Sequence, residues 1–129
     1  MNAAARLVCR AGRRAHITPL LRDRLHWLKV EQRVTFKLCL LVHKTLHGMA
    51  PSYLSELCRS TADNPARTRL RSATQTNLHV PGTKTLFCDR AFAVSGPLAW
   101  NSLPADLRAV DSINAFKSRL KHICFLNNT

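Results

Sequence analysis

The sequence predicts a small, mainly α-helical domain with a minor two-stranded β-hairpin. Apolar residues recur every three or four positions between Glu31 and His47, and again between Ile113 and Phe125, which is the spacing of amphipathic helices. Leu78 and Val80 instead alternate with polar residues, which is the spacing of a strand. With 129 residues the chain is long enough for one modest hydrophobic core.

Two short helices are predicted near the N-terminus. Residues 2 to 11 form the first, which begins abruptly in an alanine run and ends at Gly12. Thr18 is a suitable N-cap for the second, because Pro19 then occupies the first helical position. The apolar residues of this second helix are Leu20, Leu21, Leu25 and Trp27.

The longest predicted helix spans Glu31 to His47 and ends at Gly48, a favourable C-terminal residue. Apolar side chains occupy so much of its circumference that we expect contacts from two sides. A short helical turn follows Pro51. The predicted core face of the long helix carries Val34, Leu38, Leu41, Thr45 and Leu46, and a second face carries Phe36 and Leu40.

A polar, basic linker is predicted at residues 59–77, between a helical part at 1–58 and a C-terminal part at 78–129. The two parts are expected to form one domain. The linker is rich in Ser, Thr, Asn and Asp and has arginine at alternate positions, Arg67, Arg69 and Arg71.

The C-terminal part is predicted to begin with the hairpin. Its strands would lie at residues 78–80 and within 85–94, with a turn at Pro81 and Gly82. The segment Ala91–Arg108, "AFAVSGPLAWNSLPADLR", is then predicted to be a strand-to-helix corner. In this corner Phe92 and Val94 finish the strand, Gly96 and Pro97 turn the chain, and Leu98 and Trp100 anchor it in the core. Ser102 and Pro104 then start a short helix.

The last predicted helix begins at Asp111 or Ser112, either of which is a favourable N-cap. Its outer side is basic, which is typical of an amphipathic helix docked on a core. Its predicted core face carries Ile113, Phe116, Leu120, Ile123 and Cys124.

The charge of the chain favours a polyanionic partner. Twenty Lys and Arg against seven Asp and Glu give a formal net charge of +13. Such an excess in a small domain is typical of nucleic-acid binding, with an anionic membrane surface as the second interpretation. The candidate contacts to RNA or DNA phosphates are Arg6, Arg10, Arg13, Arg14, Arg67, Arg69, Arg71, Lys117 and Lys121. Contacts of this kind position a protein on nucleic acid without reading its sequence.

The sequence offers no pattern for catalysis. It has no glycine-rich phosphate loop, no glycine-flanked nucleophile and no closely spaced carboxylate pair. We therefore predict no catalytic centre, no cofactor and no small-molecule substrate. The longest apolar run, Leu38–Val42, is far too short for a membrane span.

Cysteine and histidine on the long helix raise the question of a metal site. Cys39, His43 and His47 follow one another at intervals of four residues, but two full helical turns are too long for all three to reach one zinc ion. We expect a buried cysteine and two partly buried histidines, and no metal. Five dispersed cysteines without a C-x-x-C pair indicate free thiols in a reducing compartment.

The basic N-terminal segment has two interpretations. The segment carries Arg6, Arg10, Arg13 and Arg14, and no acidic residue appears before Asp23, which fits a mitochondrial transit peptide. A basic helix lying on phosphates fits equally well. Because the segment has no serine and a short helical span, we favour the nucleus or cytoplasm over the mitochondrion.

An ordered series of segments resembles the C-terminal tail of reverse transcriptases from LINE-type (non-LTR) retrotransposons of animals. The series covers nearly the whole chain. Its segments are "NAAARLV" at 2–8, "HITPLLRDRLHWLKVEQRVTFKLCLLVHKTLHGMAPSYLSEL" at 16–57, "RLRSA" at 69–73, "VPGTKT" at 80–85, "DRAFAVSGPLAWNSLPADLR" at 89–108 and "FKSRLKHICF" at 116–125.

The resemblance implies a region beyond the palm of the polymerase, in or after the thumb, where template and primer are contacted. The catalytic aspartates of an RNA-directed DNA polymerase would lie upstream of every matched residue, so the resemblance implies no catalytic role here. Lys29 stands where the family has proline, and Cys88 where it has glycine. Cys39 and His43 occupy positions that are apolar or aromatic in the family. The resemblance also allows a structural fragment that docks on the polymerase core through the helix at 31–47.

Overall fold

The computed structural model describes residues 1–63 and 77–126, and these ranges are mainly helical, which confirms the predicted fold class. None of the helices in these ranges is both long and apolar enough to cross a membrane. The α-helices are α1 (Asn2–Val8), α2 (Ile17–Pro19), α3 (Val30–Leu46), α4 (Ser52–Ser55), α5 (Phe92–Asn101), α6 (Ala105–Arg108) and α7 (Ile113–Leu126).

The chain divides into two compact units. Unit 1 is Met1–Arg33 and unit 2 is Val34–Thr129, so the division falls within α3. Unit 1 contains α1 and α2, which contact each other. Unit 2 contains most of α3 and all of the later helices.

Helix α1 ends at Val8, three residues before the predicted end. Arg10 has a φ of 50°, so the chain leaves the helix through a left-handed residue. The amide of Arg10 bonds to the carbonyl of Leu7 at 3.3 Å, and the amide of Ala11 to that of Arg6 at 2.9 Å. This pair of bonds is the Schellman motif, in which glycine usually takes the left-handed position.

Helix α2 begins two residues earlier than predicted. Its N-cap is His16, whose ψ of 118° is extended, and Thr18 lies inside the helix instead of capping it. The helix continues as a π-helical turn, Leu20–Arg24. Trp27, which was predicted to belong to this helix, lies beyond it.

Helix α3 matches the predicted helix within one residue at each end. Gly48 has a φ of 66°, and the amides of Gly48 and Met49 bond to the carbonyls of Thr45 and Lys44 at 3.3 and 2.8 Å. This second Schellman motif confirms Gly48 as the C-terminal signal.

The buried face of α3 differs from the predicted one. Cys39, Val42 and His43 are completely buried, whereas Val34 and Leu46 are 54% and 43% exposed. Thr45 is buried as predicted and Cys39 as expected, but the predicted face omitted Val42, and His43 is buried more completely than expected. His43 instead packs among rings: its centroid lies 4.2 Å from that of Phe116 in α7.

The predicted hairpin is wrong. Within residues 77–94, the pairing found is an isolated antiparallel bridge between Leu78 and Ser60, upstream of the polar segment. The second predicted strand is replaced by a 3₁₀ turn, Cys88–Arg90, and by the start of α5 at Phe92. The alternating pattern therefore predicted extended chain at Leu78 correctly. Leu78 pairs with Ser60, however, and not with the predicted second strand.

The corner at Gly96 and Pro97 is also wrong, because both residues lie inside α5 and are buried. A Cβ on Gly96 would lie 3.2 Å from Cγ2 of Val42, so glycine lets α5 approach α3 closely. Trp100 is buried as predicted, but Leu98 is 51% exposed and therefore does not anchor the segment in the core.

The short helices and α7 follow their proline and serine signals. Helix α4 starts directly after Pro51, and α6 starts after Pro104, three residues later than Ser102 suggested. The carbonyl of Ser112 accepts the amide of Phe116 at 2.9 Å, which places Ser112 at the N-cap of α7. Phe116, Leu120 and Cys124 are buried as predicted.

Asn101 holds Leu78 in place through its side chain. The Leu78 amide donates to Oδ1 of Asn101 at 2.9 Å, and Nδ2 of Asn101 donates to the Leu78 carbonyl at 2.9 Å. On the flanking residues, the amide of Thr61 bonds to the carbonyl of Asn77 at 3.0 Å and that of His79 to Arg59 at 2.8 Å. The chain on either side of the polar segment is therefore fixed to the end of α5.

Replacing Asn101 by alanine is expected to lower the free energy of unfolding by about 1–3 kcal/mol, because the buried amide and carbonyl of Leu78 lose their partners. Urea unfolding followed by circular dichroism measures the change. Asn114→Ala, on an exposed position of α7, is the matched control and should change stability by less than about 0.5 kcal/mol. Equal midpoints for the two variants would contradict the assigned role of Asn101.

Replacing Gly48 by alanine is expected to cost about 1–2 kcal/mol, because an L-residue is strained in the left-handed conformation. A Cβ at this position meets no atom within 4 Å, so no steric clash adds to the backbone strain. Gly82→Ala also meets nothing within 4 Å and has no positive φ, and it should leave the thermal midpoint nearly unchanged. A thermal midpoint for Gly48→Ala as high as that of Gly82→Ala would argue against the Schellman motif.

Candidate nucleic-acid interface

Three of the predicted phosphate contacts lie together in unit 1. Arg6, Arg10 and Arg13 line one open depression of about 510 Å³, together with Ala3, Leu7 and Ala11. Arg10 and Arg13 are exposed, and Arg14 is exposed beside them in the chain. The structure therefore brings residues from α1 and from the segment after it to one surface.

Two local features bring Arg13 back toward α1. The left-handed conformation of Arg10 ends the helix, and the amide of Ala15 bonds to the carbonyl of Gly12 at 3.0 Å, which closes a turn. Nη2 of Arg6 then donates to the carbonyl of Ala15 at 3.5 Å. A contact from α1 thus ties down the far end of the turn that carries Arg13 and Arg14.

Arg6 differs from the other arginines of this cluster. Its side chain is partly buried, and its Nε is buried with no hydrogen-bond partner among the described residues. A guanidinium that is already held loses less side-chain entropy when it binds an anion. The positive charge of Arg6 is therefore held in one position, whereas the exposed side chains of Arg10 and Arg13 can adjust their positions to a ligand.

The acidic residues of unit 1 do little to offset this cluster. Unit 1 has eight arginines and lysines but two acidic residues, Asp23 and Glu31. Asp23 lies 3.7 Å from Arg22, an exposed pair within one π-helical turn. The depression consequently lies in a field of positive charge.

In unit 2 the predicted contacts Lys117 and Lys121 are exposed one turn apart on α7. Nζ of Lys121 lies 5.9 Å from the ring centroid of Phe125.

Arg119 and His122, which were not among the predicted contacts, line a cleft of about 540 Å³ between α6 and α7, together with Asp106. The sequence alone could not single out Arg119 and His122, because the cleft exists only where α6 packs against α7. The remaining predicted contacts, Arg67, Arg69 and Arg71, lie outside the described residues.

The histidines of α3 have partners other than a metal. Nε2 of His43 lies 2.7 Å from the carbonyl of Val110, and Nδ1 of His47 lies 2.8 Å from the carbonyl of His43. Nε2 of His47 lies 3.5 Å from a carboxylate oxygen of Asp111. In the ranges 1–63 and 77–126, no three His, Cys, Asp or Glu side chains form a group that could hold a metal ion.

Burial decides the protonation of the core groups. It raises the pKa of the Cys39 thiol to about 12, with the neighbouring thiol of Cys124 adding to the effect. Burial also raises the pKa values of Cys58 and Cys124. These thiols are protonated at neutral pH, and a protonated thiol is neither a nucleophile nor a metal ligand.

Burial lowers the pKa of His43 below its ordinary value of 6.5, and the bond to Val110 opposes this shift. Nearby His47 lowers the pKa further, whereas Asp111 raises it. His43 is therefore neutral at neutral pH and donates from Nε2, which leaves its buried Nδ1 without a partner among the described residues.

Comparisons with protein-family models, with curated proteins and with solved structures gave no match.

Stability is expected to fall as the pH drops below 6.5, the ordinary pKa of histidine. Between this value and the lowered pKa of His43, the unfolded chain binds a proton that the folded chain does not, so acid favours unfolding. Urea midpoints measured from about pH 5 to about pH 8 follow the effect. In His43→Gln this component of the pH dependence should disappear.

The control is His79→Gln, which removes an exposed histidine in place of the buried one. A pH dependence of His43→Gln equal to that of the wild-type chain would show that another group is responsible.

Proposed function

We propose that this chain binds RNA or DNA through the phosphate backbone with little sequence preference, and that it has no catalytic activity of its own. The observation that carries the proposal is the clustering of Arg6, Arg10 and Arg13 around one depression. Guanidinium groups bind phosphate oxygens through paired hydrogen bonds. Several on one surface can contact successive phosphates of a strand.

The distribution of charge supports this proposal over one that needs base recognition. Arg10, Arg13 and Arg14 are exposed, and so are Lys117 and Lys121 on α7. No aromatic side chain is among the described residues that line the arginine depression, so this surface offers no ring on which bases could stack. Contacts to phosphates without base contacts give binding of low specificity.

We further propose that the chain corresponds to the C-terminal tail of a LINE-type reverse transcriptase. Cys39 and His43 stand where this family has apolar or aromatic residues, and both side chains are completely buried. Their burial supports the proposed correspondence, because it gives the two polar residue types the structural position of apolar ones.

A second candidate function is docking on an upstream polymerase core. Val34 and Leu46, both in the part of α3 that belongs to unit 2, are 54% and 43% exposed, which favours an apolar contact with another domain. If this surface needs its partner, the isolated chain aggregates or melts without cooperativity. A cooperative thermal melt together with a monomeric gel-filtration profile would contradict it.

Affinity for a single-stranded RNA oligonucleotide is expected to fall steeply as salt rises, because binding releases counterions from the phosphates. Replacing Arg10 and Arg13 together by glutamine should lower the slope of log K against log salt by about one for each arginine. Fluorescence anisotropy across a salt series measures both the affinity and the slope.

The matched control is Arg22→Gln combined with Arg24→Gln, which removes the same charge from exposed positions of unit 1. A control that lowers the slope equally would show that total charge matters and the cluster does not. Binding that is absent at low salt, or insensitive to salt, would remove the proposed function.

A further inference from the structure

A tight turn at Thr85–Cys88 presents two large apolar side chains to solvent. The amide of Cys88 bonds to the carbonyl of Thr85 at 3.1 Å, so Leu86 and Phe87 are the two central residues of the turn. Leu86 is 86% exposed and Phe87 is 84% exposed. Both side chains project from the same two-residue tip.

Local hydrogen bonds hold this tip, without any burial of the apolar pair. The hydroxyl of Thr85 donates to Sγ of Cys88 at 3.1 Å. The amide of Arg90 bonds to the carbonyl of Phe87 at 3.2 Å, and the amide of Ala91 to that of Cys88 at 3.1 Å. The turn is thereby continued into the 3₁₀ turn at Cys88–Arg90 and into α5.

Positive charge flanks the apolar pair on both sides. Lys84 precedes it and Arg90 follows it, and both side chains are exposed. Asp89, the one acidic residue within residues 83–91, is partly buried and accepts a hydrogen bond from the hydroxyl of Thr83. The turn therefore combines an apolar tip, Leu86 and Phe87, with positively charged residues on both sides of it.

We propose that the Thr85–Cys88 turn inserts Leu86 and Phe87 into an anionic lipid surface, with Lys84 and Arg90 on the lipid headgroups. Apolar side chains reach the acyl boundary of a bilayer while basic residues bind anionic phosphates at its surface. The two contributions add, and neither requires a membrane-spanning helix.

The leucine favours a lipid surface over nucleic acid as the occupant of this turn. A base can stack on the ring of Phe87, but Leu86 has no ring and is presented just as prominently. Insertion into lipid uses both residues and both flanking charges. This inference is independent of the proposed nucleic-acid binding, since the turn shares no residue with the arginine cluster.

Co-sedimentation of the full chain with vesicles tests the proposal. The chain should bind vesicles of phosphatidylcholine and phosphatidylserine in a molar ratio of about seven to three, and bind pure phosphatidylcholine much more weakly. Leu86→Ser combined with Phe87→Ser should weaken binding to the mixed vesicles about tenfold or more. Lys84→Gln combined with Arg90→Gln should weaken it several-fold.

Two controls separate insertion from general adsorption. Tyr53→Ser removes another exposed aromatic residue of unit 2, on α4, and should leave vesicle binding unchanged. In Phe87→Trp, brominated phosphatidylcholine should quench tryptophan fluorescence well beyond the quenching in the wild-type chain, because bromine lies among the acyl chains. Circular dichroism verifies that each variant is folded.

The proposal is overturned if the Leu86→Ser, Phe87→Ser variant sediments like the wild-type chain, if Tyr53→Ser weakens binding equally, or if Phe87→Trp shows no added quenching. It is also overturned if the double serine variant keeps its vesicle affinity and instead loses affinity for the single-stranded oligonucleotide. That result would show that Leu86 and Phe87 contact nucleic-acid bases and not lipid.

Discussion

The packing of the buried imidazole of His43 is the interaction on which unit 2 depends. Its ring lies on Phe116 of α7 with centroids 4.2 Å apart and lies 6.3 Å from the ring of Trp100 in α5. Its Nε2 bonds at 2.7 Å to Val110, in the segment that joins α6 to α7. One side chain of α3 thus contacts α5, α7 and the segment between α6 and α7. The imidazole of His43 is neutral in this arrangement, because a charged ring would be buried and would lie beside the ring of His47. Its proton is on Nε2, which donates to the carbonyl of Val110.

The segment Ala91–Arg108 is explained by the same core. Gly96 lets α5 approach α3, Trp100 enters the ring cluster, and Asn101 supplies to Leu78 the pair of hydrogen bonds that a neighbouring strand would give. Leu103 and Leu107 are buried beyond the end of α5. Its unusual composition reflects several packing and hydrogen-bonding roles and requires no catalytic role. Several residues of this segment therefore have structural reasons to be there.

Sequence patterns predicted what depends on nearby residues and missed what depends on distant ones. Helices α3 and α7 were predicted closely because their apolar period and end signals are local. The hairpin was wrong because Leu78 pairs with Ser60 across an intervening segment. Gly96 and Pro97 suggested a turn, but burial against α3 keeps them helical, since tertiary packing outweighs local preference. The arginine cluster was predicted by composition alone; its geometry depends on the left-handed Arg10 and on the bond from Arg6 to Ala15.

The core and the charged surfaces use different residues, and this separation determines what the chain can bind. The core of unit 2 is neutral, because burial keeps its thiols protonated and His43 uncharged. The basic residues Arg10, Arg13, Arg14, Lys117 and Lys121 lie outside it, exposed. Within residues 1–63 and 77–126 none of these five side chains forms an ion pair, so their charges attract an external polyanion. A fold whose stability rests on rings and amide contacts can carry a large excess of positive charge with little conflict between stability and binding.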